Sequence, residues 1–161
     1  MKQVIFLRHG KAEEKWPKID DRSRMLVKSG AKKTKEYFNA IHDKITRVDA
    51  IVSSAARRAK MTAEIIATEL KMERHTIQYH SWLWTEDHST IIAMIRSFPT
   101  SRKHVIIIGH HNTFSDAAMS LTDAPLDWIV KSWIVGLSFS VEDWALVDKK
   151  NNSEVWQYNG E

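Results

Sequence analysis

The sequence contains no cysteine among its 161 residues. This absence excludes a disulfide scaffold, a cysteine-ligated zinc site, an iron–sulfur cluster and a cysteine nucleophile. Apolar runs are short as well: Val4-Ile5-Phe6-Leu7 and Val105-Ile106-Ile107-Ile108 each extend over only four residues. A membrane-spanning helix needs about 20 apolar residues, and the amino terminus lacks the apolar core of a signal peptide. We therefore expect no membrane partner and a cytoplasmic location.

Glycine is also scarce, and the five glycines are not spaced as G-x-G-x-x-G. A dinucleotide-binding fingerprint is therefore absent. Gly10-Lys11 matches the end of a phosphate-binding P-loop, but Ile5 stands where that loop requires glycine. Ala12 stands where a Ser or Thr hydroxyl would hold magnesium. These departures argue against an ordinary nucleotide-binding domain.

Apolar residues make up 43% of the chain and charged residues 27%, which is typical of a soluble globular protein. The length favours a single domain over residues 1–161. The net charge of +4 is unevenly distributed, because residues 1–80 hold 18 Lys and Arg against 10 Asp and Glu. The basic half could attract an anionic partner, although a solvated basic surface explains the charge alone.

Predicted strands and helices alternate along most of the chain. Apolar runs predict strands over 2–7, 49–53, 76–79, 104–108, 137–141, 145–147 and 154–157. Helical spacing predicts helices from Gly30 to Ile45, over 55–70, from an N-cap at Ser89 to Phe98, and from an N-cap at Asn112 or Thr113 to Leu121. This order predicts a three-layer α/β fold: a mostly parallel central sheet with helices on both faces and a C-terminal antiparallel hairpin.

Cationic and imidazole side chains follow three of the predicted strands. The first strand leads into Arg8-His9-Gly10, the second into Ser53-Ser54 and then Arg57-Arg58, and the strongest into Gly109-His110-His111. Ligands of open α/β sheets bind beyond the carboxyl ends of the strands. We therefore expect these groups to converge at one edge of the sheet.

This combination of residue types suits a phosphoryl group. Its oxygens carry about two negative charges near neutral pH, and arginine binds them with a planar fork of donors. A neutral histidine can attack phosphorus and form a phosphohistidine intermediate. Flanking arginines favour the neutral form of such a histidine.

Four segments, in order along the chain, carry a resemblance to the histidine phosphatase superfamily. Leu7-Arg8-His9-Gly10 resembles its R-H-G signature, the run from Ser53 to Ala63 its S-S-P-x-x-R-A-x-x-T-A segment, and Ile108-Gly109-His110 its V-G-H segment. Asp21-x-x-Arg24-x-Leu26-x-x-x-Gly30 is similar to a stretch of the short SixA-type phosphohistidine phosphatases. The resemblance implies a phosphoglycerate mutase-like fold.

The resemblance also implies roles for individual residues. His9 corresponds to the nucleophile, and Arg8, Arg58 and His110 correspond to the groups that hold the phosphoryl oxygens. Gly10, Arg24 and Ser54 are the further candidates for phosphate or substrate binding, although Arg24 could equally be a surface charge and Ser54 a helix cap. Neither a metal nor another cofactor is expected.

Two neighbouring pairs and the general acid require a choice. Adjacent residues that leave a strand point in different directions, so the register of the resemblance selects His110 over His111 and Arg58 over Arg57. For a general acid, Glu86 and Asp21 are the candidates, with Asp87 as a competitor. A strong acid is dispensable if the leaving group is imidazole, because its pKa of about 6.5 makes it depart more easily than an alkoxide.

The sequence thus predicts a metal-independent phosphatase that acts through phospho-His9 on a phosphorylated substrate, namely phosphohistidine in a signalling protein. One alternative is a phosphomonoesterase or mutase of the same superfamily that acts on small molecules. A second is a non-catalytic module that binds phosphate or nucleic acid, which the basic N-terminal half suggests. Retention of Arg8, His9, Arg58 and His110 counts against the second alternative, and we do not expect nucleic acid as a partner.

Overall fold

The computed structural model describes residues 1–84, 87–127 and 131–160. Within these residues, six strands form one sheet: β1 (Lys2–Arg8), β2 (Ala50–Ser54), β3 (Gln78–His80), β4 (His104–Gly109), β5 (Ile134–Phe139) and β6 (Asn152–Tyr158). Four α-helices accompany them: α1 (Lys28–Ala40), α2 (Arg57–Glu69), α3 (His88–Arg96) and α4 (Thr113–Ser120).

The strands lie in the order β3-β2-β4-β1-β5-β6. The first four are parallel, β5 is antiparallel to β1, and β6 is antiparallel to β5. This arrangement confirms the predicted fold class, including the antiparallel hairpin at the C-terminal end. It also places the carboxyl ends of β1, β2 and β4 side by side, since Arg8 is level with Gly109 and Ser53 with Ile108.

Helices cover both faces of the sheet. Successive side chains of β1 alternate between two buried clusters: Val4 and Phe6 pack in a cluster with residues of α3 and α4, and Ile5 and Leu7 in one with residues of α1 and α2. Because β1 is buried on both faces, it reads as a continuous apolar run. Its ends are therefore held rigidly, which fixes where Arg8 and His9 leave the sheet.

Several predicted boundaries are wrong in detail. Residues 145–147 do not form a strand, because the segment Trp144–Leu146 is a short 3₁₀ turn capped by the Asp143 side chain. The hairpin therefore joins β5 to β6 through a long connection. Helix α3 is capped by Asp87, whose carboxylate accepts the Ser89 N–H, and α1 ends before Ile45, which is nevertheless buried.

In the part of the chain that the structure describes, no helix is both long enough and apolar enough to cross a membrane.

Candidate active site

His9 lies just beyond the carboxyl end of β1 and is only 7% exposed. Its Nδ1 is 2.7 Å from the Gly10 carbonyl oxygen. A carbonyl can only accept, so Nδ1 carries the ring proton and Nε2 carries a lone pair. Arg58 Nε donates a hydrogen bond to that Nε2 at 3.1 Å. The two contacts together fix both the tautomer and the orientation of the imidazole.

The surroundings of His9 disfavour its protonated form. Burial is the main cause that holds the pKa of the imidazole well below its ordinary value of 6.5. The hydrogen bond to Gly10 opposes this shift, whereas the charges of His110, Arg58 and Arg8 add to it. At neutral pH the ring is therefore neutral, and its lone pair is available at Nε2.

Arg58 stands in the first turn of α2 and is 4% exposed. One terminal nitrogen donates to the Asp21 carbonyl oxygen at 2.7 Å, and the other lies 3.3 Å from the Asp21 carboxylate. Trp84 lies against the same guanidinium, with its ring centre 4.7 Å from the central carbon. Arg58 thus spans from the loop before α1 to the His9 ring.

Arg24 lies in the same loop, and its guanidinium donates hydrogen bonds to other groups of that loop. Its Nε lies 2.8 Å from the Asp21 carboxylate, and a terminal nitrogen donates to the Glu13 carbonyl oxygen at 2.7 Å. These contacts tie Arg24 to the residue that holds Arg58. The role that these contacts support for Arg24 is to fix the position of the Asp21 carboxylate.

His110 leaves β4 beside His9, with 5.3 Å between the two ring centres. Its Nε2 is 2.8 Å from the Ser54 hydroxyl, which also accepts the Ala56 N–H at 3.2 Å. Ser54 is not the N-cap of α2, which is Ala56, but its hydroxyl accepts the N–H of that N-cap and contacts a site histidine. Phosphate binding by Ser54 stays a prediction. The Trp84 ring also contacts His110, with 4.6 Å between the ring centres and 54° between the ring planes. Burial, followed by the Arg58 charge, lowers the pKa of His110 to about 4.

Arg8 and Gly10 flank the nucleophile candidate. Burial and the charge of Arg58 lower the pKa of the Arg8 guanidinium, so the two arginines lie within electrostatic reach of each other. Gly10 has a packing reason to lack a side chain: a Cβ there would approach the Thr34 hydroxyl to 2.5 Å and the Gly30 carbonyl to 2.9 Å. Its N–H is already bonded to Thr62 at 3.3 Å.

Of the remaining candidates, Asp21 contacts the cluster through Arg58, whereas Arg57 and His111 are the sequence neighbours of Arg58 and His110. Arg57 is exposed. His111 is half-buried, and its pKa is lowered by burial and by the Arg8 charge. Glu86 lies outside the described residues. Burial raises the pKa of the Asp21 carboxyl. The charges and hydrogen bonds of Arg58 and Arg24 lower it by more, so that the pKa lies below its ordinary value. A carboxylate so stabilised is a poor proton donor.

Sequence reasoning missed two supporting residues. Thr62 is fully buried; its hydroxyl donates to the Arg58 carbonyl at 2.8 Å and accepts the Gly10 N–H. Thr62 belongs to the segment from Ser53 to Ala63 that carries the resemblance, and its place in that segment could have identified it as a site residue. Trp84 is the second of these residues, and its ring contacts both Arg58 and His110.

A metal centre has no support within the described residues, where no group of three His, Asp or Glu side chains could hold an ion. The arrangement instead offers two neutral imidazoles and two arginines at one sheet edge. Such a set can bind and attack an anionic phosphoryl group.

We expect Asp21→Asn to lower kcat about tenfold, because a charged hydrogen bond to a carboxylate is worth about 1.4 kcal/mol or somewhat more. Arg58 would keep its bond to the Asp21 carbonyl oxygen, so the loss is partial. The matched control is Asp20→Asn, since the exposed Asp20 only caps the adjacent 3₁₀ turn. A loss that grows steeply with the basicity of the leaving group would instead identify Asp21 as the general acid.

The depressed histidine pKa values also predict how stability depends on pH. Below pH 6.5 the unfolded chain binds protons at His9 and His110 that the native protein does not yet bind, because both native pKa values are lowered, that of His110 to about 4. The contribution of His110 to stability is therefore complete above pH 6.5 and is lost as the pH falls toward 4, by up to about 1.4 kcal/mol per pH unit, and His9 acts in the same direction.

Urea unfolding at pH 6.5, 5.5 and 4.5 measures this slope. His110→Asn should flatten it, whereas His42→Asn, at an exposed histidine, should leave it unchanged. Equal slopes in the wild type and in His110→Asn would show that the native pKa of His110 is not depressed.

The family model "Histidine phosphatase superfamily (branch 1)" matches residues 4–80 of this sequence. That range contains three of the four segments noted above, and the histidine that follows β4 lies beyond it. No curated protein matches the chain in sequence.

Solved structures of the same architecture cover nearly the whole chain. A protein described as the phosphohistidine phosphatase SixA from Nakamurella multipartitia has 19% identity over 96% of this chain and 95% of its own, with a TM-score of 0.78. A protein histidine phosphatase SixA in complex with tungstate has 19% identity over 96% and 95%, with a TM-score of 0.77. A mycobacterial glucosyl-3-phosphoglycerate phosphatase has 13% identity over 98% and 97%, with a TM-score of 0.65. At these identities the likeness establishes the fold.

Proposed function

We propose that the chain is a member of the histidine phosphatase superfamily, whose model matches residues 4–80, and a metal-independent phosphatase in which His9 is the nucleophile. The observation that carries the proposal is the state of His9: a buried, neutral imidazole whose Nδ1–H is bonded to the Gly10 carbonyl and whose Nε2 lone pair faces Arg58. A nucleophile needs this lone pair, and the neighbouring arginines supply the charge that draws a phosphoryl group to it.

In the first step the Nε2 lone pair of His9 attacks phosphorus, the Nε2–P bond forms, and the bond from phosphorus to the leaving group breaks. Before this step Arg58 Nε donates a hydrogen bond to Nε2; during the step it donates to a phosphoryl oxygen instead. Arg8, Arg58 and His110 then hold the non-bridging oxygens, and their preorganised donors stabilise charge that builds in the transition state.

In the second step a water molecule attacks phosphorus and the Nε2–P bond breaks. The products are inorganic phosphate and neutral His9, and the water proton passes to phosphate or solvent. The Gly10 carbonyl keeps Nδ1 protonated throughout, so that Nε2 is the atom that bonds to phosphorus and is later released. Cationic side chains supply the electrostatic stabilisation that magnesium provides in kinases.

We further propose that the substrate is phosphohistidine in a protein. An imidazole leaving group, whose pKa is about 6.5, departs with little help from an acid. Among the described residues, the carboxyl of Asp21 contacts the site and is held as a carboxylate by two arginines, which fits a reaction of this kind. The likeness in fold to two SixA proteins is consistent with the same class of substrate.

A panel of substrates tests this assignment. We expect kcat/KM for a phosphohistidine-bearing protein to exceed that for alkyl phosphate monoesters by at least about 100-fold, since the monoesters expel a far more basic leaving group. Comparable values for the two kinds of substrate would favour the second candidate, a phosphatase or mutase of small molecules. The fold match to glucosyl-3-phosphoglycerate phosphatase is the observation in favour of that candidate.

Chelation gives an independent check of the metal-free mechanism. We expect turnover to be unchanged after dialysis against EDTA, because arginine and histidine side chains supply the cationic groups of the site. Loss of activity in EDTA and its recovery with zinc or magnesium would contradict the proposal.

A further inference from the structure

A groove of about 470 Å³ lies beside the site and is rich in cationic side chains. It is formed by the 3₁₀ turn before α1 and by the first two turns of α2. The residues that line it are Arg22, Ser23, Ala55, Arg57, Lys60, Met61 and Glu64. Three of these are cations, and the one carboxylate, Glu64, lies 3.6 Å from Arg74 in an ion pair. The groove therefore presents net positive charge.

The three cations of this groove have no carboxylate partner within the described residues, where every ion pair involves other basic groups. Arg22 lies over the Trp84 ring at 5.5 Å, and Lys60 over the Tyr79 ring at 5.1 Å. Aromatic faces hold these cations in place without neutralising them. Their charge remains available to an anionic partner.

The groove and the site are formed by neighbouring residues of the same two segments. Arg22 follows Asp21 in the chain, and Arg57 precedes Arg58, so each groove arginine is one peptide unit, about 3.8 Å between Cα atoms, from a residue of the site. An extended peptide advances about 3.3 Å per residue. A side chain two to four positions from a phosphorylated residue seated at His9 could therefore reach the groove.

The loop that carries Arg22 also exposes large apolar side chains. Trp16 is 60% exposed and Ile19 is 43% exposed. Exposed aromatic side chains beside arginine are typical of surfaces that bind proteins. This composition favours a protein over a small phosphate ester, which would fill only the site itself.

We propose that the groove formed by Arg22, Arg57 and Lys60 binds acidic side chains that flank the phosphorylated residue of a protein substrate. This inference rests on the proposed function, since it describes how the same site would select its substrate. It assigns Arg57, which is not needed for the chemistry, a role in recognition.

Two synthetic phosphohistidine peptides test the proposal, one with Asp and Glu two to four positions from the phosphohistidine and one with Ser and Gly there. We expect wild-type kcat/KM for the acidic peptide to exceed that for the neutral one by about tenfold, which corresponds to two or three exposed ion pairs of 0.5–1 kcal/mol each. In Arg57→Glu/Lys60→Glu the preference should disappear or reverse.

The matched control is Lys44→Glu/Lys103→Glu, which changes the net charge equally at two exposed lysines that precede β2 and β4, at the opposite edge of the sheet. It should keep the wild-type preference. Equal wild-type rates on the two peptides would overturn the groove assignment while leaving the proposed function intact. Failure to hydrolyse either peptide would instead contradict the proposed function. Competition by a DNA duplex at 150 mM salt, lost in Arg57→Glu/Lys60→Glu, would identify nucleic acid as the occupant and also overturn the assignment.

Discussion

We expect the His9→Ala protein to lose at least about 10⁴-fold in kcat while its circular dichroism spectrum stays that of the wild type. The reason is that no other described side chain can replace the Nε2 lone pair that faces Arg58. The fold should survive because β1 is anchored by strands on both sides, independently of the His9 ring. Single-turnover assays with a phosphohistidine peptide and with p-nitrophenyl phosphate give the measurement.

His42→Ala is the control for this experiment, because His42 is exposed and follows α1 at the opposite edge of the sheet. It should retain wild-type turnover. A His9→Ala protein whose kcat is within tenfold of the wild type would mean that His9 is not the nucleophile.

The second large effect separates neighbouring arginines. Removing a donor that stabilises transition-state charge costs about 3–4 kcal/mol, or a factor of 100 to 1,000 in rate. We expect this loss in Arg58→Ala, because Arg58 is buried and bonded to His9. Arg57→Ala should lose less than about threefold in kcat on p-nitrophenyl phosphate, since Arg57 is exposed and its removal leaves no buried charge unpaired.

The neighbouring histidines should differ in the same way. His110 lies between Ser54, Trp84 and the His9 ring, so His110→Ala should also lose 100-fold or more in kcat. We expect a much smaller loss in His111→Ala. A larger loss in Arg57→Ala than in Arg58→Ala, or in His111→Ala than in His110→Ala, would mean that the neighbouring residue of that pair is the one in the site.

Tungstate binding checks these assignments without turnover, because tungstate mimics bound phosphate. Isothermal titration should show tungstate binding to the wild type and to Arg57→Ala with similar Kd. Arg58→Ala and His110→Ala should bind it at least about tenfold more weakly, since each loses a donor to the anion. Equal affinities in all four proteins would mean that these side chains do not surround the anion.

The fold and the grouping of the site could be predicted because both rest on strong local signals. Buried strands such as β1 and β4 are continuous apolar runs, and the residues that follow them must meet at one edge of a parallel sheet. The sequence therefore predicted that His9, Arg58 and His110 would come together. The strand predicted over 145–147 was wrong because three apolar residues in a row indicate burial but do not distinguish a strand from a turn.

The polar contacts within the site could not be predicted from the sequence. The bond between Ser54 and His110 joins residues 56 positions apart, and that between Arg58 and Asp21 spans 37. Such contacts depend on side-chain directions that only the assembled sheet and helices fix. Arg24 shows the consequence: the sequence left phosphate binding and a surface charge equally open, whereas the geometry ties its side chain to Asp21.

The most direct test of the central claim is to trap the intermediate. The protein is mixed with a ³²P-labelled phosphohistidine peptide, quenched within milliseconds in alkali, and digested for mass spectrometry. We predict label on the peptide that contains His9, in a bond that is stable to alkali and labile to acid, and no label in His9→Ala. Label on a different residue, or wild-type turnover with no labelled protein and with direct transfer of phosphate to water, would contradict the mechanism.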